Sequence, residues 1–204
     1  MNAQTQREHI AGPAGRIECA IDKPAEGTAA RGLAVIAHPH PQHGGTMDNK
    51  VVQTVARAFV QQGWRSVRFN FRGIGGSEGA WDEGRGEVED MLAVIAHHRL
   101  EGEPLSLAGF SFGGYVAAEA ARRLGHDQLR HLVLVGAATP NFAVAQVPAG
   151  TLVVHGEQDD VVPLSATLDW ARPQALPVVV VPGVGHFFHG QLPLLKNLVV
   201  RALV

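Results

Sequence analysis

Several features that would place a protein in a specialised class are scarce or missing in this sequence. Its 204 residues include one cysteine, Cys19, which excludes an intrachain disulfide, and the strand-like run 16–22 around it favours a small buried hydrophobe over a reactive thiol. No apolar run approaches the ~18 residues that cross a bilayer, and the polar N-terminus lacks a signal-peptide core. A net charge of −2 gives no reason to expect nucleic acid or a membrane as a partner. We therefore expect a soluble cytoplasmic protein.

The composition is that of an ordinary globular chain. Hydrophobic residues make up 46% and charged residues 18%, so the chain has no signature of disorder. A chain of this length can bury a core of its own, and no linker or repeat divides it, so one domain is expected over 1–204. The polar segment 1–15 is the part expected to be poorly ordered.

Short apolar runs alternate with amphipathic segments along the chain. The runs are rich in Val, Leu and Ile and mostly continuous, which is typical of strands buried on both faces. The predicted strands are 16–22, 32–38, 64–71, 104–110, 130–137, 150–156 and 176–183. The predicted helices are 48–62, 85–100, 113–124, 164–172 and 190–203. This alternation predicts an α/β fold, with a mostly parallel twisted sheet of about seven strands and helices on both faces.

The ends of two predicted helices carry residues with expected local roles. Asp48 is placed to cap the first helix at its N-terminus, and Gly63 is placed to end that helix. His97 and His98 come late in the second helix, where we expect surface residues or a favourable charge near the helix C-terminus.

The pattern G-x-S-x-G, typical of a nucleophilic serine, occurs twice, around Ser77 and around Ser111. Such a serine stands on a sharp turn between a strand and a helix, because that turn lifts its hydroxyl above the sheet. Ser111 comes directly between a predicted strand and a predicted helix. Ser77 is followed by a polar, glycine-rich stretch that does not continue into a helix. Ser111 is therefore the predicted nucleophile, and Ser77 is interpreted as a loop residue.

A serine hydroxyl attacks only when a base accepts its proton, so Ser111 requires a histidine and an orienting carboxylate. In a parallel α/β sheet they should follow later strands, in the order serine, acid, histidine. Asp159 and Asp160 come after the sixth predicted strand. His186 comes after the last strand, and His189 lies three residues further on. Placement and order agree with the expectation. Both aspartates remain candidates for the acid, and both histidines remain candidates for the base.

Five segments of the chain resemble the α/β-hydrolase superfamily, specifically its small, lidless bacterial serine hydrolases of the dienelactone-hydrolase-like or esterase branch. The segments are HPHPQHGGTMDNK, FNFRGIGGSEG, GFSFGGYVA, HGEQDDVVP and GVGHFFHG, and the resemblance spans 16–204. It implies that the acid is Asp159, the first aspartate of an H-G-x-x-D segment. It further implies that the base is His186, after a G-x-G-H turn, and that the loop holding Ser77 is structural.

The segment HPHPQHGG, at 38–45, places three histidines within six residues. They nearly match a metal-binding H-x-H-x-D-H pattern, but the chain has glutamine where that pattern needs aspartate. The imidazoles of His38 and His40 would also have to converge across two proline-locked turns. We therefore expect no metal here, and expect the side chains of His38 and His43 to form hydrogen bonds that stiffen the loop.

The same segment is expected to supply part of an oxyanion hole. Acyl transfer needs two backbone N–H groups aimed at the developing alkoxide, and one should come from Phe112, directly after the nucleophile. The other should come from the loop at 38–45. Pro39 and Pro41 have no N–H, so the donor is predicted at His40. Pro39 also leaves open whether the peptide bond before it is cis.

The predicted function is a serine hydrolase that cleaves small or accessible carboxylic esters or thioesters with a Ser-His-Asp triad. Only 138–149 separate two predicted strands where larger relatives carry a lid, so an open site is expected. This chemistry requires no metal or organic cofactor. An amidase or peptidase on the same triad and a non-catalytic ligand-binding homologue are the alternatives, and the oligomeric state is left open. The expected substrate contacts are Gly44, Gly45, Trp81, Phe142 and Phe187, with Phe110, Phe112 and Phe188 as further rim residues.

Overall fold

A computed structural model describes residues 5–25 and 27–204, and this part of the chain forms eight strands and five α-helices. The strands are β1 (Gln6–Gly12), β2 (Gly15–Asp22), β3 (Leu33–Ala37), β4 (Arg65–Phe69), β5 (Leu105–Phe110), β6 (Leu129–Val135), β7 (Leu152–Gly156) and β8 (Val178–Val181). The helices are α1 (Lys50–Gln61), α2 (Arg85–His98), α3 (Phe112–Leu124), α4 (Leu164–Ala171) and α5 (Leu192–Ala202). None of these helices is long and apolar enough to cross a membrane.

All eight strands belong to one sheet, in the order β1-β2-β4-β3-β5-β6-β7-β8. The six strands from β4 to β8 in this order are parallel, whereas β2 runs antiparallel to both β1 and β4. The carboxyl ends of parallel strands meet at one edge of a sheet, where ligands bind in open α/β folds. The loops after β3, β5, β6, β7 and β8 therefore lie along a common edge.

Apolar side chains cover both faces of the sheet. One buried cluster contains Phe59 of α1 and Leu195 of α5, and the other contains Met91 of α2 and Phe112 of α3. The central strands contribute alternate residues to the two clusters, because successive side chains of a strand point to opposite faces. The predicted fold class, a mostly parallel sheet with helices on both faces, is confirmed.

The edge strand β1 was missing from the sequence prediction, which expected poor order throughout 1–15. β1 pairs antiparallel with β2 along its whole length, while residues 1–4 lie outside the described part of the chain. Only Ile10 of this strand is buried. An edge strand of a hairpin carries polar residues at most positions, so a search for continuous apolar runs does not find it.

The first helix is capped by Asn49, and the prediction of Asp48 is wrong. Asn49 Oδ1 accepts hydrogen bonds from the N–H groups of Val51 at 2.9 Å and Val52 at 3.5 Å. The Asp48 carboxylate lies instead against the guanidinium of Arg68, 3.2 Å away. Asp48 thus pairs with Arg68 and Arg7, while Asn49 caps the helix.

The two histidines that end α2 differ in exposure. His97 is exposed, as expected, but His98 is only 7% exposed, so its predicted surface position is wrong. His98 Nε2 lies 3.5 Å from a carboxylate oxygen of Glu8 on β1. The carboxylate that approaches His98 thus belongs to the strand that the sequence prediction missed.

A buried arginine, Arg68 of β4, attaches the segment before α1 to the sheet. Its side chain is 3% exposed. Nη1 donates to the Met47 carbonyl at 2.9 Å and to Asp48 Oδ1 at 3.2 Å. Nη2 donates to Asp22 Oδ2 on β2 at 3.1 Å. These bonds hold the chain between the histidine-rich turn and α1 against two strands.

Replacing Arg68 with alanine is expected to lower the free energy of unfolding by about 3–5 kcal/mol, because Asp22 would stay buried without its ion-pair partner. Arg16 is the matched control, since its ion pair with Glu78 is exposed and its replacement should cost at most about 1 kcal/mol. Urea denaturation of the wild type and both variants measures the difference. Equal losses would contradict a special contribution of the buried pair.

Candidate active site

Ser111 occupies a strained turn between β5 and α3. Its backbone has φ +56° and ψ −118°, a conformation that residues with a side chain rarely adopt. The turn is held by hydrogen bonds to the neighbouring strand: the Ser111 N–H donates to the Val135 carbonyl at 2.9 Å, and the Ala138 N–H donates to the Ser111 carbonyl at 3.1 Å. Ser111 therefore stands at the carboxyl edge of the sheet, between β5 and the loop after β6.

The two glycines of the G-x-S-x-G pattern are required by close backbone contacts. A Cβ on Gly109 would lie 1.9 Å from the Gly113 carbonyl oxygen. A Cβ on Gly113 would lie 2.4 Å from the Ala37 carbonyl oxygen and 2.6 Å from that of His38. The start of α3 thus packs directly against the end of β3, and brings the Ser111 turn beside the histidine-rich loop.

Asp159 and His186 form a buried pair on the loops after β7 and β8. Asp159 Oδ2 lies 2.6 Å from His186 Nδ1. The other carboxylate oxygen accepts hydrogen bonds from the N–H groups of Val161 at 3.0 Å and Val162 at 2.7 Å. Burial alone would raise the pKa of Asp159, but the hydrogen bonds from His186 and the two backbone groups outweigh it and lower that pKa. The carboxylate is therefore ionised at neutral pH, and Nδ1 of the imidazole is the donor.

The loops that carry this pair are also joined through their backbones. The Gln158 N–H donates to the Val184 carbonyl at 2.9 Å. A Cβ on Gly156 would lie 2.3 Å from the same carbonyl oxygen, so only glycine fits between the loops there. The distance between Asp159 and His186 is thus determined by backbone contacts as well as by their own hydrogen bond.

A second buried histidine, His155, lies beneath the carboxylate and was missed by the sequence prediction. Its Nε2 is 2.9 Å from the Val162 carbonyl oxygen and 3.5 Å from Asp159 Oδ2, and its Nδ1 is 3.2 Å from the Thr167 hydroxyl. Burial lowers the pKa of His155. The neutral ring therefore holds the loop after β7, and its place in the segment HGEQDD is the signal that could have identified it.

Ser111 and His186 open onto one cavity of about 250 Å³. Of the five predicted substrate contacts, Gly44, Gly45 and Phe187 line this cavity, and Phe187 is 43% exposed. The full lining consists of Pro39, His40, His43, Gly44, Gly45, Asn49, Ser111, Val161, His186 and Phe187. Asn49 and Val161 were not predicted, although they lie within the segments HPHPQHGGTMDNK and HGEQDDVVP.

Trp81 and Phe142 do not line the cavity at Ser111. The Trp81 ring lies 4.6 Å from the His40 ring, and the Phe142 ring lies 5.0 Å from the Phe112 ring. Both are half-buried and pack against the core cluster on the α2–α3 face. The other rim residues of the prediction, Phe110, Phe112 and Phe188, have fully buried side chains.

The two predicted oxyanion donors, His40 and Phe112, lie on the adjoining turns. The His38–Pro39 peptide bond, which precedes His40, is trans. The His40 carbonyl accepts hydrogen bonds from the N–H groups of His43 and Gly45, and these bonds close the turn. Among the described residues, no hydrogen bond uses the His40 N–H. Phe112 is the first residue of α3, and the first N–H groups of a helix have no partner within it. His40 lines the cavity at Ser111, whereas Phe112 is fully buried and is not among the residues that line it.

The three imidazoles of the histidine-rich loop have separate environments. His38 is buried, its Nδ1 lies 2.7 Å from the Pro39 carbonyl oxygen, and its Nε2 accepts from the Phe71 N–H at 3.1 Å. Burial lowers the pKa of His38 to about 3. His43 is exposed and stacks on His40, with ring centroids 4.5 Å apart. Because both ring nitrogens of His38 are engaged, this ring could bind a metal only by giving up a hydrogen bond of the fold.

The other candidates for nucleophile, acid and base, which are Ser77, Asp160 and His189, lie in different environments. The Ser77 hydroxyl donates to the Asn70 carbonyl at 2.7 Å and accepts from the Glu18 N–H at 2.9 Å, so it joins its loop to β2. Asp160 and His189 are exposed, next to the buried pair. The structure thus brings Asp159, and not Asp160, into contact with an imidazole.

A close contact of Gly136 with the pair allows a test of this geometry. Gly136 has φ +50°, and a Cβ there would lie 3.3 Å from His186 Nδ1. Gly136→Ala should cost about 1–2 kcal/mol of stability for the left-handed backbone and should displace the imidazole. Gly183→Ala is the control, because Gly183 has φ +69° and a Cβ there would have no atom within 4 Å.

Urea denaturation should detect similar losses in both glycine variants. Proton NMR should detect a shifted resonance of the Nδ1–H between His186 and Asp159 only in Gly136→Ala. An unshifted resonance in that variant would contradict the proposed contact.

Known proteins match this chain in sequence and in structure. The model of a family described as serine aminopeptidase, S33 matches residues 30–144, which include His40 and Ser111. An uncharacterized protein from Rickettsia prowazekii is 28% identical over 193 residues, covering 87% of this chain and 79% of its own.

Two solved structures are similar over almost their whole length. An alpha-beta serine hydrolase homologue from Coxiella burnetii is 42% identical, with a TM-score of 0.87 and coverage of 98% of this chain and 97% of its own. A serine hydrolase without lid from Xanthomonas campestris is 34% identical, with a TM-score of 0.89 and coverage of 100% and 95%. The connection between β6 and β7 in this chain likewise contains neither helix nor strand across residues 136–151.

Proposed function

The chain belongs to the α/β-hydrolase superfamily, in the family described as serine aminopeptidase, S33, and we propose that it hydrolyses small or accessible carboxylic esters or thioesters through an acyl-enzyme. One observation carries this proposal. The serine on the strained turn, Ser111, faces the same cavity as His186, whose ring is held 2.6 Å from the buried carboxylate of Asp159. In this proposal the three residues form a catalytic triad.

The proposed reaction has two steps. His186 Nε2 accepts the proton of the Ser111 hydroxyl while Oγ attacks the substrate carbonyl carbon, and the N–H groups of His40 and Phe112 stabilise the oxyanion. The protonated imidazole then gives that proton to the leaving alcohol or thiol, and an acyl-Ser111 ester is left. Water, deprotonated by His186, cleaves the ester and restores the serine. No step calls for a metal or an organic cofactor.

The buried acid is expected to control the tautomer of the imidazole. Because two backbone N–H groups occupy Asp159 Oδ1, Oδ2 is the oxygen left for His186. An ionised Oδ2 accepts the Nδ1 proton, so the lone pair of the ring lies on Nε2, the atom that must act as base. The lowered pKa of Asp159 keeps this arrangement at neutral pH.

The cavity favours an ester over the substrate of an aminopeptidase. An aminopeptidase must bind the free ammonium group of its substrate, for which a carboxylate is the natural partner. The described residues that line the cavity include no Asp or Glu, and Asp159 is buried. The exposed carboxylate of Asp160 lines an adjoining pocket, which shares Val161, His186 and Phe187 with the cavity. With a volume of about 250 Å³ and the exposed ring of Phe187 at its rim, the cavity suits a small acyl group.

Replacing Ser111 with alanine is expected to reduce kcat for p-nitrophenyl acetate by roughly 10⁶-fold, by analogy with other triad enzymes, and to abolish labelling by a fluorophosphonate. Ser77→Ala is the control, since the Ser77 hydroxyl is engaged in the fold and its loss should leave labelling in place. Steady-state kinetics and mass spectrometry measure both effects.

Two outcomes would contradict the ester hydrolase proposal in different ways. Unchanged hydrolysis by Ser111→Ala would exclude the serine mechanism, and loss of activity with EDTA in that case would favour a metal. Faster turnover of aminoacyl p-nitroanilides than of p-nitrophenyl esters by the wild type would instead favour an aminopeptidase that uses the same triad.

The adjacent aspartates allow a matched test of the acid. Asp159→Asn should lower kcat by about 10⁴-fold, because an amide no longer selects the tautomer with a free Nε2. Asp160→Asn changes an exposed side chain one position away and should leave kcat within a few-fold of the wild type. Ester hydrolysis at neutral pH gives both values, and a larger loss in Asp160→Asn would assign the acid to that residue.

A further inference from the structure

A second group of metal-ligating side chains lies at the β1 edge of the sheet. Glu8 is on β1, and His97 and His98 are the last two residues of α2. One ligand atom from each lies within 4.8 Å of the other two. The two imidazole rings are 4.9 Å apart and nearly perpendicular. Three strands, β2, β4 and β3, separate this group from β5 and Ser111, so it is independent of the proposed active site.

The buried member of this group, His98, has an unused ring nitrogen. Its side chain is only 5% exposed, and its Nε2 has no hydrogen-bond partner in the described part of the chain. The nearest carboxylate oxygen, on Glu8, lies 3.5 Å away, which is too far for a good hydrogen bond. Buried polar atoms normally have partners, so this nitrogen points to a missing one.

The charges around the group are compatible with a bound cation. Among the described residues, Glu8 forms no ion pair with a lysine or an arginine. The Arg65 guanidinium is engaged, because Nη2 donates to the His98 carbonyl at 2.6 Å and pairs with Glu103 at 3.0 Å. The carboxylate of Glu8 is therefore left without a compensating positive charge.

We propose that Glu8, His97 and His98 bind a divalent transition-metal ion of the zinc class. Imidazole nitrogen and carboxylate oxygen together suit Zn²⁺, Ni²⁺ or Cu²⁺, and not Mg²⁺ or Ca²⁺, which prefer oxygen alone. Three protein ligands would leave one tetrahedral position to water. His98 is held by the fold, whereas Glu8 is half-exposed and His97 is exposed, so these two side chains can rotate to complete the coordination.

Such an ion would connect the edge strand to the helix that packs beside it. β1 is paired on one side only, and edge elements with few buried residues open most easily. A ligand that binds only the closed arrangement stabilises it by mass action. Zn²⁺ is therefore expected to slow amide hydrogen exchange in β1 and to raise the thermal midpoint of the protein.

Isothermal titration calorimetry with Zn²⁺ alone tests this site. The wild type should bind one ion in a saturable manner. His97→Ala and Glu8→Gln alter exposed or half-exposed side chains, which avoids the folding defect expected for a change at His98, and should weaken binding at least ~10-fold. His126→Ala removes an exposed histidine elsewhere and should bind Zn²⁺ as the wild type does.

Hydrogen exchange measured with and without Zn²⁺ gives a second readout that does not involve activity. Slower exchange in β1 should occur in the wild type and in His126→Ala, and not in His97→Ala. Wild-type affinity in both His97→Ala and Glu8→Gln would place the ion elsewhere and overturn the proposal. The absence of saturable binding to the wild type would overturn it as well.

Discussion

The positive φ of Ser111 can be maintained only because neighbouring backbone segments hold the turn on every side. A residue with a side chain in such a conformation costs about 1–3 kcal/mol, so the surrounding contacts must supply more than that. Hydrogen bonds to the end of β6 and the loop after it fix one side of the turn. Gly109 and Gly113 let β5, α3 and β3 approach on the other. The same contacts place the His40 turn beside Ser111, so the strained turn and the predicted oxyanion donors depend on one set of packing constraints.

Asp159 and His186 are brought together because they follow two adjacent parallel strands. β7 and β8 are neighbours in the sheet, and a backbone hydrogen bond joins the loops that follow them. His155 supports the carboxylate from below, and Gly136 leaves room for the imidazole from the side. The loops after β6, β7 and β8 thus meet at one edge, and the short connection after β6 leaves that edge uncovered.

Local sequence patterns were sufficient to predict features that depend only on neighbouring residues of the chain. Ser111 could be distinguished from Ser77 because a strand and a helix flank only one of them. Local sequence patterns were insufficient where a segment distant in the chain determines the contacts of a side chain. Asn49 caps α1, while the aspartate before it pairs with Arg68, a residue of β4. Trp81 was expected to contact the substrate directly, but the fold places its ring against His40, which itself lines the cavity.

The sequence by itself determined the fold class, the alternation of strands and helices, and the order in which serine, acid and histidine follow their strands. These features are local, since apolar runs and turn residues act within a few positions of one another. Only the tertiary structure decided that Asp159 and not Asp160 contacts His186, which aromatic rings line the cavity, and that Glu8 meets His98 across β1 and α2. Those outcomes depend on distances between segments far apart in the chain, which the strand pairing and the packing of both core layers establish together.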